Sequence, residues 1–134
     1  MPGAVTEHRE ADVILDVELE RGLLFLVIAN LGRLPAHNVR VRFESPLLGL
    51  GGDTRVDRLQ IFRRLDFLGP RRRIRVFLDR TALYFGRGEP TELEVTVTWR
   101  NDQGERRRRE IRHDLAAYRD FPYLEVPDDA RRAT

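Results

Sequence analysis

The chain has 134 residues, with 24 basic and 22 acidic side chains that leave a formal charge of +2, and its length fits one domain large enough to bury its own core. There is no cysteine, which excludes disulfides, thiolate metal sites and cysteine nucleophiles. Residues 1–11 lack the apolar stretch of a secretory signal, and the longest apolar run, residues 23–29, is far short of the ~20 residues of a membrane span. A soluble, cytoplasmic protein without membrane insertion is therefore expected. Every basic residue other than histidine is arginine. Either the surface is built on dense Arg–carboxylate networks, or the genome simply favours arginine codons.

Along the chain the dominant period is two. After a flexible segment over residues 1–12, Val13, Leu15, Val17 and Leu19 alternate with Ile14, Asp16, Glu18 and Glu20, which predicts a half-buried strand closing at Arg21-Gly22. Residues 23–30 are continuously apolar, as in a strand covered on both faces. Gly32 and Pro35 break the run. Val39, Val41 and Phe43 then alternate with Arg40, Arg42 and Glu44, so that one face of the third strand meets water. Residues 45–58, with Pro46, Gly49, Gly51 and Gly52, form the longest irregular stretch. Residues 59–68 read as a further strand region closed by Gly69-Pro70, and Ile74, Val76 and Leu78 mark the next strand. Residues 81–85 read as one helical turn or as a loop plugging the core with Leu83, Tyr84 and Phe85. Leu93, Val95, Val97 and Trp99 alternate with Glu94, Thr96 and Thr98. Asn101-Asp102-Gln103-Gly104 is a hairpin turn, and residues 105–115 return as the last strand.

Seven to eight strands with regular turn signals predict an all-β, immunoglobulin-like sandwich over residues 13–115, with a C-terminal extension over residues 116–134. The apolar strand ending at Asn30, the Asn30-Leu31-Gly32 turn, the small Ala36 and the Val39-Arg40-Val41 strand resemble the second and third strands of bacterial immunoglobulin-like domains of the CARDB-like group. The segment from Leu65 through Gly69-Pro70 to Val76, and the hairpin from Trp99 to Leu115, are similar to later parts of that group. The resemblance implies a sandwich with a binding or spacer role and supplies no catalytic residues.

Candidate chemistry is sparse. His8, His37 and His113 show no metal-ligand spacing. The Gly49-Leu50-Gly51-Gly52-Asp53-Thr54 loop lacks the Gly-Lys-Ser/Thr ending and the following helix of a phosphate loop, and Asp53 and Asp57 do not form a calcium loop. Ser45, the only serine, has no nucleophile elbow around it. No catalytic residue, cofactor or metal is expected, and the chain reads as a non-enzyme.

Two arginine clusters and an aromatic tail are the candidate partner-binding elements. Arg71, Arg72, Arg73 and Arg75 enter one strand, and Arg106 to Arg109 with Arg112 line the last one. Period two puts Arg106, Arg108 and Arg112 on one face and Arg107 and Arg109 on the other. Such strands suit phosphates or an acidic partner, unless Glu92, Glu94, Glu105 and Glu110 neutralise them across the sheet. Tyr118, Phe121, Tyr123 and Leu124 either pack on the sandwich or anchor another subunit. The reading is a non-catalytic protein-interaction module, a small subunit or accessory protein of a larger bacterial assembly. Its principal partner is another protein, in a hetero- or homo-oligomer, and the alternative is nucleic-acid or polyanion binding through the arginine strands.

Overall fold

The computed structural model describes residues 10–124; His8, most of the N-terminal segment and the polar tail from residue 125 lie outside the described residues. The described residues fold as an all-β sandwich of nine antiparallel strands. β1 (Val13–Glu20), β2 (Leu23–Asn30) and β7 (Arg73–Arg80) form one sheet in the order β1-β2-β7. It faces a four-stranded sheet of β3 (Ala36–Phe43), β6 (Leu65–Leu68), β8 (Glu92–Arg100) and β9 (Arg106–Asp114), ordered β6-β3-β8-β9. Setting β1, β2 and β7 against β3, β8 and β9 is immunoglobulin connectivity, with β6 added beside β3. The two-residue strands β4 (Leu48–Gly49) and β5 (Thr54–Arg55) pair with each other in the connection after β3.

The alternating pattern decides which side chains meet. Val13, Leu15 and Val17 of β1 stand opposite Asn30, Ile28 and Leu26 of β2. They face Val39 and Val41 of β3 and Leu93, Val95, Val97 and Trp99 of β8 in one buried core. Arg21 and Gly22, at φ 54 and 75, make the tight β1–β2 turn, a geometry matched to the right-handed twist of the hairpin. Both faces of β2 are indeed covered: Leu24, Leu26 and Ile28 face the core, and Val27, on the outer face, is equally inaccessible.

Asn30 knots the sandwich at one end. Its Oδ1 accepts from the N–H groups of Asp12 and Gly32, and its Nδ2 donates to the carbonyls of Leu34, Leu68 and Gly69. One buried amide thus joins the entry to β1, the β2–β3 connection and the crossover from β6 to β7. Gly32 is required beside it, because a Cβ there would fall 1.9 Å from the Glu10 carbonyl oxygen. Ala11, just ahead of β1, is already buried.

One local element differs from the strand reading, and a second takes the helical form of its two expected ones. Within residues 59–68 the backbone first turns as α1 (Gln60–Arg63), and β6 follows. The Leu59 carbonyl accepts from the N–H groups of Phe62 and Arg63, and the turn drives Phe62 into the core, edge-on to Phe43 with ring centroids 5.1 Å apart. Residues 81–86 form α2 (Thr81–Gly86). There Tyr84 is the buried plug, while Leu83 stays half exposed.

Candidate functional site: an arginine basin on the outer sheet face

The outer face of the four-stranded sheet is set by the side chains opposite the core positions. Register places Thr98 of β8 between Arg40 of β3 and Arg108 of β9, and places Arg100 opposite Arg106. A short threonine between long arginines leaves a depression. Its volume is about 690 Å³, with Asn38 and Thr98 at its lining and Arg40, Arg64, Arg100, Arg106, Arg107 and Arg108 around it. Asn38 adopts φ 50 where the β3–β8 register shifts between His37 and Arg40, a left-handed conformation that asparagine tolerates better than most residues.

Among the described residues no carboxylate lines the basin. Arg40 and Arg106 make no ion pair among the described residues, and Arg100 donates to the carbonyl of Gly104 at 2.8 Å. Arg64 and Arg108 have the weak partners Asp66 at 3.2 Å and Glu110 at 3.7 Å, all strongly solvent-exposed, where such pairs contribute little. Arg107 is different: it points to the β1 side, donating to Glu10 at 2.7 Å, and this hydrogen bond holds the Glu10 carboxyl below its ordinary value. Along the face the charge changes sign. Away from the Asn101–Gly104 turn, Arg112 reaches Glu94 at 3.0 Å and Glu92 at 3.6 Å, and Arg42 lies 3.8 Å from Glu44. Guanidinium forks stay charged at any working pH and accept carboxylates or phosphates bidentately. The chemistry available to the basin is therefore anion recognition.

The structure separates the residues that sequence grouped. Arg106 and Arg108 stand at the basin; Arg112, on the same strand face, is engaged by Glu92 and Glu94. Arg73 and Arg75 lie on the other sheet, where β2 carries Phe25, Val27 and Ala29 on its outer side. They reach across β2 to β1: Arg73 pairs with Glu18, and Arg75 pairs with Glu18 at 3.3 Å and Glu20 at 2.8 Å. The Arg75 guanidinium also stacks 3.8 Å over the Phe25 ring. These ion pairs and the stacked guanidinium lie along the apolar strip and help to hide Val27 from water. Arg71 is exposed in the turn before β7 at φ 62, its N–H donating to the Gly32 carbonyl.

The aromatic tail divides as well. Tyr118 packs against the core, and burial raises its phenol above the ordinary value. Phe121 lies over Gly22, its ring 3.7 Å from where a Cβ would stand. Tyr123 and Leu124 remain exposed, Tyr123 at 88%. His37 and His113 stay apart: His37 meets Phe67 of β6 edge-on, and the His113 ring hydrogen-bonds the Leu15 carbonyl at 2.7 Å. Among the described residues no three histidine or carboxylate side chains gather to hold a metal.

Arg40, Arg64 and Arg100 were not among the expected binding residues. Alternation in β3 turns Arg40 outward, but nothing local indicates that β3 and β9 flank the same strand. Only the sheet order brings Arg40, Arg100 and Arg106 together.

A family model described as a domain of unknown function (DUF8453) matches residues 4–119, which include the whole sandwich, and the chain belongs to that family. No curated protein and no solved structure matches it.

Proposed function

We propose that this DUF8453 member is a non-catalytic protein-interaction module, a small subunit or accessory protein of a larger bacterial assembly, that receives an acidic segment of its partner in the arginine basin. The observation that carries the reading is a concavity of about 690 Å³ whose lining, among the described residues, holds six arginines and no acid. Several arginines elsewhere are neutralised locally, as Arg73 and Arg75 are by Glu18 and Glu20. At the basin Arg40 and Arg106 make no ion pair among the described residues. Uncompensated guanidinium groups side by side repel one another, and a bound carboxylate relieves that repulsion. A protein partner is favoured over nucleic acid because Trp99, the one aromatic in the lining, is 5% exposed and offers bases no stacking platform.

The test is titration of a glutamate-rich peptide into the protein by calorimetry, beside single-stranded DNA of equal charge. The peptide should bind saturably, and the Arg40→Glu/Arg106→Glu variant should bind about 100-fold more weakly, each lost charge-assisted contact being worth ~1.5 kcal/mol or more. Unchanged peptide binding in that variant would remove the basin from the reading. Tighter binding of the DNA, lost in the same variant and falling steeply with salt, would transfer the site to a polyanion ligand.

A further inference from the structure

The outer edge of β9 carries a second message. Among the described residues β9 pairs with β8 alone. The Asn101 N–H donates to the Glu105 carbonyl at one end, and the Leu115 N–H donates to the Thr91 carbonyl at the other. Those two bonds fix the phase of the ladder, whose register runs unbroken from Glu92↔Asp114 to Arg100↔Arg106. Residues 107, 109, 111 and 113 therefore exchange hydrogen bonds with β8, while Arg106, Arg108, Glu110, Arg112 and Asp114 turn their N–H and C=O groups away from the sheet. The same five residues bear their side chains on the outer face.

Four of them alternate in charge: Arg108, Glu110, Arg112 and Asp114. An antiparallel copy of this strand presents the same series reversed, so the pattern is its own complement. With a two-fold axis at Ile111, Arg108 faces the partner's Asp114 and Glu110 faces the partner's Arg112, and symmetry repeats both. All four pairs are of opposite charge, and all four are residues whose outward backbone groups match. Moving the axis to residue 110 or 112 sets like charges opposite each other. Edge charges usually keep sheets from adding strands; here their alternation permits one partner in one register.

We propose that two copies of this chain associate through antiparallel pairing of their β9 edges about a two-fold axis at Ile111, joining the two four-stranded sheets into one continuous eight-stranded sheet. On the inner face the axis brings half-buried Ile111 beside its mate. The polar neighbours there are already held, Arg109 by Asp12 and the His113 ring by the Leu15 carbonyl. The same-chain pairs Arg108–Glu110 and Arg112–Glu94 are exposed and too weak to compete strongly. The pairing ends at the partner's Asp114, because β9 gives way to a tight turn over Leu115–Tyr118, so Arg106 lies beyond the paired stretch and Arg108 is the one basin residue that the pairing uses.

The test is sedimentation equilibrium of the full chain with two edge variants. Glu110→Arg/Asp114→Arg makes the four pairing residues all basic, and Arg108→Glu/Arg112→Glu makes them all acidic. Circular dichroism verifies that both remain folded. Wild type should dimerise, each variant alone should dissociate with Kd raised about 100-fold or more, and an equimolar mixture should recover a heterodimer. Glu110→Pro removes an outward N–H without touching the β8 ladder and should also dissociate the dimer. A wild type that stays monomeric at its solubility limit, a dimer indifferent to both charge variants, or a dimer that tolerates Glu110→Pro would each overturn the proposal.

Discussion

The Arg87 guanidinium places Nη1 2.7 Å from the carboxylate of Asp79, a β7 residue only 1% exposed. The same carboxylate accepts from the N–H groups of Gly51 and Arg80. Arg87 also donates to Glu89 at 2.8 Å and to the Leu48 and Leu83 carbonyls at 3.0 Å. One side chain thus fastens the 45–58 connection and α2 to β7. Arg87→Met should cost about 3–5 kcal/mol in urea denaturation, because it leaves a buried carboxylate without its counter-charge. The double variant with Asp79→Asn should lose less than the sum of the single losses, since the pair acts as a unit.

Gly32 and Gly51 should respond to alanine for different reasons. At Gly32 the added Cβ meets the Glu10 backbone, oxygen and carbon both, at 1.9 and 2.7 Å. Main chain must move, and the Asn30 knot moves with it, so a loss of about 3 kcal/mol or more is expected. Gly51 has open space around it but sits at φ 77, so Gly51→Ala should cost only the left-handed penalty of about 1–2 kcal/mol. Thermal melts of the two variants check the ranking.

Tyr84 governs the alkaline limb of stability. Burial pushes its phenol up to about 12, the nearby Glu89 adding to the shift, and its hydroxyl donates to the Pro90 carbonyl at 2.6 Å. In the unfolded chain a tyrosine ionises near 10. Below that pH both states are protonated and the contribution is whole; between about 10 and 12 only the unfolded state loses its proton, and stability falls by about 1.4 kcal/mol per pH unit. Tyr84→Phe should flatten this part of the stability curve while lowering stability at neutral pH through the lost hydrogen bond. Denaturation midpoints from pH 7 to 12 measure both effects.

The C-terminal aromatics should separate packing from display. Phe121→Ala uncovers the β1–β2 turn at Gly22 and should cost about 1–2 kcal/mol for a half-buried ring. Tyr123→Ala should leave stability within about 0.5 kcal/mol, since that ring is 88% exposed. Chemical denaturation of the two variants decides it. A Tyr123 variant that destabilised as much as the Phe121 variant would show that the exposed ring packs in solution.

Much of the sandwich was legible because strand alternation is a local signal. Val13 to Leu19, Val39 to Phe43 and Leu93 to Trp99 each announce an inner and an outer face, and those faces are the ones observed. The helical turn at Gln60–Arg63 was not legible, since a short apolar run carries no period long enough to tell a turn from a strand. The tail was legible in composition alone: four apolar side chains suggested contact, and nothing local separated Phe121, which packs, from Tyr123, which does not.

By itself the sequence determined that every strong base is arginine, that β9 alternates its faces and that Arg106 and Arg108 share one of them. Tertiary structure decided which arginines are neutralised. β7 lies beside β2, so Arg73 and Arg75 find the β1 carboxylates across a single strand; β9 lies beside β8, whose neighbours at that end are Thr98 and Arg100, so Arg106 finds none. The physical reason is range. Alternation depends on adjacent residues, whereas an ion pair depends on which strands a sheet sets side by side, and that order is fixed by packing between segments far apart in the chain.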